Sequence, residues 1–214
     1  MELYVPDAYR EDDAEELLRL IEASPLGSIV TFRGGLDANH IPFIVDRSSE
    51  GLRLIAHVSR NNALWQEAVP GERVLVIFRG AQGYISPNWY PGKQRDENQV
   101  PTWNFQVVHV HGRLTVVDDE RFVRGVVARL VMKNEASQPK PWKMTDSEKA
   151  YIDAELRRIV GIRIDVEQLE GKFKLSQNRN EHDWRGAIRG LAQSGHEELS
   201  EAMDREYEKR KKKS

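Results

Sequence analysis

Between Ser28 and Val117 the apolar residues fall into short, often alternating runs broken by turn residues, and no long helical spacing develops. Ser28–Phe32, His40–Asp46, Leu52–Ser59, Arg73–Phe78, Gly83–Ser86 and the long run Val100–Val117 each read as strands. Gly34-Gly35, the segment Arg47–Gly51 and Pro70-Gly71 separate them, Asn62–Ala68 reads as a short helical link, and Gly112 predicts a bulge or bend. One further strand comes much later. Val160, Ile162, Ile164 and Val166 alternate with Gly161, Arg163, Asp165 and Glu167, the period of two of a half-buried antiparallel strand. Strands therefore cluster, helices follow, and one strand returns, which is not the alternation of a doubly wound fold. The expected class is mainly β with peripheral helices, a single antiparallel barrel.

The helices are marked by caps and faces. Asp12 and Glu15 form a capping-box pattern ahead of Ala14, Leu17, Leu18 and Ile21, and Ser24-Pro25-Leu26-Gly27 stops that helix. Phe122, Val123, Val126, Val127, Leu130 and Val131 share one face of a second helix. A polar loop, Asn134–Trp142, leads to a capping-box pattern at Thr145 and Glu148 before Tyr151, Ile152, Leu156 and Ile159. Trp184, Ile188 and Leu191 suggest another helix. The expected organisation is one domain over residues 1–194 and a charged tail, helical or disordered, over 195–214. In that tail an acid-rich stretch, Glu197 to Glu208, precedes Lys209-Arg210-Lys211-Lys212-Lys213. Such a block is expected to be solvated and mobile, with a nucleic-acid contact as the alternative.

Composition removes several function classes. The 214 residues include no cysteine, which excludes disulfides, thiol nucleophiles and thiolate metal sites. Lys and Arg number 32 against 34 Asp and Glu, a balance unlike that of a surface built throughout for polyanions. No stretch approaches the roughly 20 apolar residues of a membrane span. The opening Met-Glu-Leu-Tyr-Val-Pro-Asp lacks the basic and apolar regions of a signal peptide, so a soluble, cytoplasmic protein without a membrane partner is expected. There is no Gly-x-Ser-x-Gly elbow, His-Glu-x-x-His, phosphate-binding P-loop or Gly-x-Gly-x-x-Gly.

Three segments are richer in polar and aromatic residues than a barrel requires. His57-Val58-Ser59-Arg60-Asn61-Asn62 lies where a strand passes into a helix. Backbone N–H groups there, with Ser and Arg side chains, suit a phosphate, and a simple helix cap is the alternative. Gly83 to Pro91 and Pro101 to Phe105 gather aromatics, prolines and amides, including Trp103, which can stack on a planar ligand, anchor an interface or roof the core. In Gly171 to Arg179, Lys172 and Lys174 fall on the face opposite Phe173 and Leu175. With Gln177 and Asn178 they can hold an anionic ligand or simply decorate a strand edge. His109 and His111 share a strand face, but no third ligand lies nearby in sequence, so no metal is expected.

Taken together, Ala38–Pro42, Ala56–Trp65, Tyr84–Tyr90, Val100–Phe105, His109–Gly112 and Gly171–Asn178 resemble the motifs of the PaiB-type family of FMN-binding, split-barrel proteins, described as negative transcriptional regulators. The resemblance runs from about Met1 to Leu191. It implies a six-stranded antiparallel split β-barrel homodimer with FMN at the subunit interface. In the wider superfamily, which includes pyridoxamine phosphate oxidases, a Ser-Arg-Lys segment grips the FMN phosphate. Ser59 and Arg60 match it, and Asn61 stands in place of the lysine. Lys172 or Lys174 would then supply the missing cation. The resemblance also places His40, Ile41, Pro42 and Phe43 along the isoalloxazine ring.

Three functions follow from it. The first is a repressor with a bound flavin, with DNA as a further partner. The second is a flavin-dependent oxidoreductase acting on a small substrate, with His57, His109, His111 and Trp103 as groups near the ring. The third is a haem-binding split barrel in which a histidine serves as axial ligand.

Overall fold

The computed structural model describes residues 3–49 and 51–212. Among these, eight strands form one sheet. They are β1 (Arg10–Glu11), β2 (Leu26–Phe32), β3 (Leu36–Pro42), β4 (Ile44–Ser48), β5 (Gly51–Ser59), β6 (Glu72–Ile85), β7 (Thr102–Val117) and β8 (Ile159–Lys174). The helices are α1 (Ala14–Ala23), α2 (Ala63–Gln66), α3 (Glu120–Glu135), α4 (Lys149–Leu156), α5 (Glu181–Gln193) and α6 (Glu197–Lys211). The strand order is β3-β2-β6-β7-β8-β5-β4, with β1 added to β8, so the path is open with ends at β3 and β4. The pairings β1–β8, β2–β3, β2–β6, β4–β5 and β5–β8 are antiparallel. The class is thus mainly β with peripheral helices, as expected, but the strands number eight rather than six.

The difference in number has local causes. The expected run His40–Asp46 breaks at Phe43, whose backbone N–H donates to Pro25 O at 2.8 Å and whose ring is buried edge-on to Phe78. In compensation, the runs at Arg73–Phe78 and Gly83–Ser86 fuse into β6, and β8 continues past Glu167 to Lys174. Gly112 makes no break: β7 runs straight through it. A Cβ there would meet Asp165 O at 2.5 Å, so the glycine permits close approach of β8.

Contacts divide the described chain into two compact units. The larger holds residues 21–78 and 109–169, and the smaller holds 3–20, 79–108 and 170–212. In the larger unit, the β5–β8 register sets Leu54 opposite Ile164, Ala56 opposite Ile162 and Val58 opposite Val160. All six are buried and form a core ladder. The alternate positions face the other way and mix polar with apolar residues: Arg53 pairs with Asp165, the buried Ile55 with Arg163 and His57 with Gly161. Helix α3 covers part of that face by packing Val126, Phe122 and Leu130 on Ile44 and Ile55. Its other flank joins α4 through Val123, Ile152 and Leu156. Asp119 caps α3, its Oδ1 accepting Phe122 N–H at 2.7 Å. The expected box at Thr145 and Glu148 is not formed: Glu148 is the N-cap of α4 but makes no side-chain cap bond.

In the smaller unit the cap of α1 is Asp13, one residue later than expected, its carboxylate accepting Glu15 N–H at 3.0 Å. The charged tail is a packed helix rather than a mobile strand of charge. Helix α6 buries Leu199, Ala202, Met203 and Tyr207 and meets α5, with Tyr207 edge-on to Trp184 at 5.3 Å. Its basic end is held too. Lys209 Nζ donates to Glu11 Oε2 at 2.7 Å, and Arg210 Nη2 donates to Ala8 O at 2.7 Å. Lys213, the last residue of the basic run, lies outside the described residues. No helix among the described residues is long and apolar enough to cross a membrane.

Candidate functional site

The polar face of β5 ends in a tight turn at Ser59-Arg60-Asn61-Asn62, and this is where the larger unit concentrates unusual chemistry. Ser59 Oγ accepts Asn61 N–H at 3.2 Å, and Asn62 Oδ1 accepts Leu64 N–H at 2.8 Å. The expected helix is therefore a single four-residue turn whose first donors are already satisfied from within. Its backbone offers no open phosphate cradle of the kind a longer helix would provide.

Arg60 is held from several sides. Its Nη1 and Nη2 donate to Asp118 Oδ2 and Oδ1 at 3.0 and 2.7 Å, and its Nε donates to Arg157 O at 2.9 Å. The guanidinium lies 5.6 Å from the centre of the Trp65 ring, and the Arg60 carbonyl accepts Trp65 Nε1–H at 2.9 Å. The fork to Asp118 raises the arginine pKa and holds the Asp118 carboxyl below the usual carboxylate range. Arg60 is thus oriented at the end of β5 with its charge shared with one carboxylate.

His57 lies two residues before Ser59 on the same strand face. Its Nδ1 is buried with no hydrogen-bond partner, and burial lowers its pKa, so the ring is neutral at neutral pH. A buried ring nitrogen without a partner, on the strand that ends in an oriented arginine, is an arrangement a hydrogen-bonding, anionic ligand would complete. The group implied by the resemblance, FMN, fits this donor set: a phosphate suits Ser59 Oγ and the Arg60 fork, and a polar atom suits His57 Nδ1.

Strand β3 is tied to this turn. Asn62 Nδ2 donates to Asn39 Oδ1 at 2.9 Å, linking the Ala38–Pro42 segment to the Ala56–Trp65 segment. On β3, His40 Nδ1 is 2.9 Å from Ser28 Oγ, Ile41 is buried, and Pro42 is exposed at the strand end. Phe43 is buried against Phe78, so its ring belongs to the core, and its backbone N–H is already given to Pro25 O. Asn61 is exposed.

The remaining expected residues lie in the smaller unit. Trp103 is exposed and sits edge-on to Tyr84 at 6.5 Å. Lys172 Nζ donates to Tyr4 O at 3.0 Å and lies over the rings of Tyr4 and Phe105. Lys174 donates to Thr102 Oγ1, and burial, with Lys172 and Arg179 nearby, lowers its pKa. Gln177 closes its own turn: its Oε1 accepts Leu175 N–H at 2.6 Å and its amide donates to Phe173 O. Of the aromatic segment, Tyr90 is buried beneath Arg179, whose guanidinium lies 4.6 Å from the ring centre.

Sequence reasoning missed Asp118 as a part of this turn, and it missed the link between Asn39 and Asn62. Asp118 lies 58 residues from Arg60, and no local pattern marks it. The Asn39–Asn62 link sits inside two segments already singled out, but its pairing is a matter of strand placement.

Comparison with known proteins speaks to the family and the fold. Residues 3–168 match a family model described as "Putative FMN-binding domain". The chain is 30% identical over 190 residues to the protease synthase and sporulation protein PAI 2 of Bacillus subtilis (strain 168), covering 88% of this chain and 89% of that protein. Among solved structures it resembles the flavocytochrome Anf3 of Azotobacter vinelandii, with 15% identity, 83% and 75% of the two chains covered and a TM-score of 0.56. It also resembles the FAD and heme binding protein of Mycobacterium smegmatis, with 15% identity, 78% and 73% covered and a TM-score of 0.52. At that identity the two structures speak to the fold alone.

Proposed function

Because the chain belongs to the PaiB-type family of FMN-binding, split-barrel proteins, we propose that it binds FMN through the Ser59–Arg60 turn and acts as a homodimeric negative transcriptional regulator. The observation that carries the flavin reading is the unpartnered, buried His57 Nδ1 on the same strand face as Ser59, with the oriented Arg60 following at the end of β5. In this reading Ser59 and Arg60 hold the phosphate, with Asp118 setting the direction of the guanidinium. His57 takes a hydrogen bond from a polar ligand atom, and the β3 backbone from His40 to Phe43 lies along the ring. Bound FMN would supply a redox-active, light-absorbing ring, and the chain's part is to bind and orient it.

The regulator half of the reading rests on the description of the PaiB-type family as negative transcriptional regulators, rather than on a DNA-reading motif. Lys209 and Arg210 are engaged within the smaller unit, which leaves Lys211 and Lys212 as the exposed members of the described basic run. Two measurements test the proposal. A visible spectrum after FMN addition and desalting should retain flavin absorption, and a protein that releases all FMN overturns the cofactor assignment. Sedimentation should give a dimer, and binding to DNA should discriminate between sequences at physiological salt. Binding that follows charge alone overturns the regulator reading.

A further inference from the structure

Away from the Ser59–Arg60 turn, the larger unit contains a cleft of about 480 Å³ between the outer face of β5 and β8 and helix α3. That volume lies in the range of small-molecule sites. Its walls carry Arg53, Arg121, Arg129 and Arg163 against Asp46 and Asp119. Each carboxylate near these arginines already has a task. Asp165 is shared, accepting Arg53 Nε at 3.0 Å and Arg163 Nη2 at 3.1 Å. Asp46 accepts Arg129 Nη1 at 2.6 Å, and Asp119 caps α3. Among the described residues four guanidiniums thus face three carboxylates, and an arginine does not lose its proton to relieve the excess.

Two donors are left over. Arg163 Nε is buried with no hydrogen-bond partner, and Arg121 makes no ion pair among the described residues. The rest of the wall is apolar: Ile55, Phe122 and Val126. A positively charged cleft with an orphaned buried guanidinium N–H and an apolar side calls for an oxyanion carried on a small apolar body. We propose that this cleft binds such a ligand, an organic carboxylate or phosphate monoester, with Arg163 and Arg121 gripping the anion and Phe122 covering the body.

The cleft is separate from the flavin turn and does not depend on it. Ile55 and Ser59 share a face of β5 four residues apart, about 13 Å along a strand. Phe122 stands between them, since its ring lies on Gly161, the partner of His57.

Calorimetric titration of the full chain at low ionic strength tests the proposal, with benzoate and phenyl phosphate as probes and benzyl alcohol as the neutral control. One or both anions should bind saturably at one site per chain, and the tighter of the two identifies the source chemistry. Arg163→Gln and Arg121→Gln should each weaken binding about tenfold or more. Arg121 is exposed, so its variant remains informative if Arg163→Gln fails to fold. The proposal is overturned if neither anion binds, if benzyl alcohol binds equally well, or if Arg60→Ala abolishes binding while Arg121→Gln retains it.

Discussion

Arg60 and Asp118 meet fork to fork, with N···O distances of 3.0 and 2.7 Å, although they lie 58 residues apart in the chain. The pair gives the turn after β5 a fixed guanidinium direction while leaving the arginine partly exposed. An incoming phosphate competes with Asp118 for the same N–H groups, so the carboxylate both orients the arginine and opposes the anion.

That competition predicts opposite effects from two substitutions. Arg60→Ala should weaken FMN binding about tenfold or more, the scale of a lost charge-assisted contact. Asp118→Asn removes the opposing charge and should tighten FMN binding, provided the amide oxygen still orients the guanidinium. Quenching of flavin fluorescence on titration reads both. Unchanged affinity in Arg60→Ala would remove the phosphate from this turn.

His57 predicts a pH dependence whose sign is fixed. Burial lowers its pKa in the folded protein, so below the unfolded value of about 6.5 the unfolded chain binds more protons than the folded one. The stability from keeping the ring neutral is complete above that value and is lost as pH falls toward the depressed folded pKa. Thermal melts between pH 7.5 and 5 should show a drop that is smaller in His57→Leu. Equal slopes for the two proteins would show that His57 is not the group responsible.

Gly161 sits under an aromatic ring, and this predicts a steric penalty. A Cβ there would lie 2.5 Å from Phe122 Cδ1 and 2.8 Å from Val117 O. Gly161→Ala should destabilise the protein by about 1–3 kcal/mol through overpacking. Phe122→Leu should relieve part of that cost in the double variant. Urea unfolding measures the cycle, and additive costs would mean that the ring does not confine the glycine.

The tail helix is expected to behave as core. Met203 is fully buried in α6, so Met203→Ala should cost about 2–5 kcal/mol. Truncation after Gly195 should expose the apolar side of α5 and yield an unstable protein. Limited trypsin digestion supplies an independent check. Cleavage should favour the exposed Lys211 and Lys212 over Lys209, which is bonded to Glu11, and early cleavage at Lys209 would contradict the packed arrangement.

Much of the strand content was legible because alternation is a local signal. The alternation Val160 to Glu167 places Ile162 and Ile164 on one face and Arg163 and Asp165 on the other, and the structure keeps that division. The packing of the tail was not legible because its composition is dominated by charge. The burying residues Leu199, Met203 and Tyr207 lie among acids and lysines whose aliphatic stems and paired heads suit a packed helix as well as a free one.

The sequence by itself determined which residues share a strand face and which segments are too polar or aromatic for a plain barrel. Only tertiary structure decided which faces meet. The β5–β8 pairing sets Arg53 beside Asp165 across 112 residues, and a one-residue slip would turn every one of these side chains to the other face. Register is fixed by the burial of the whole core ladder, a collective property that no single segment contains. For that reason His57, Ser59 and Arg60 could be singled out from their own stretch of chain, whereas Asp118 and the arginine-lined cleft existed only once the strands were paired.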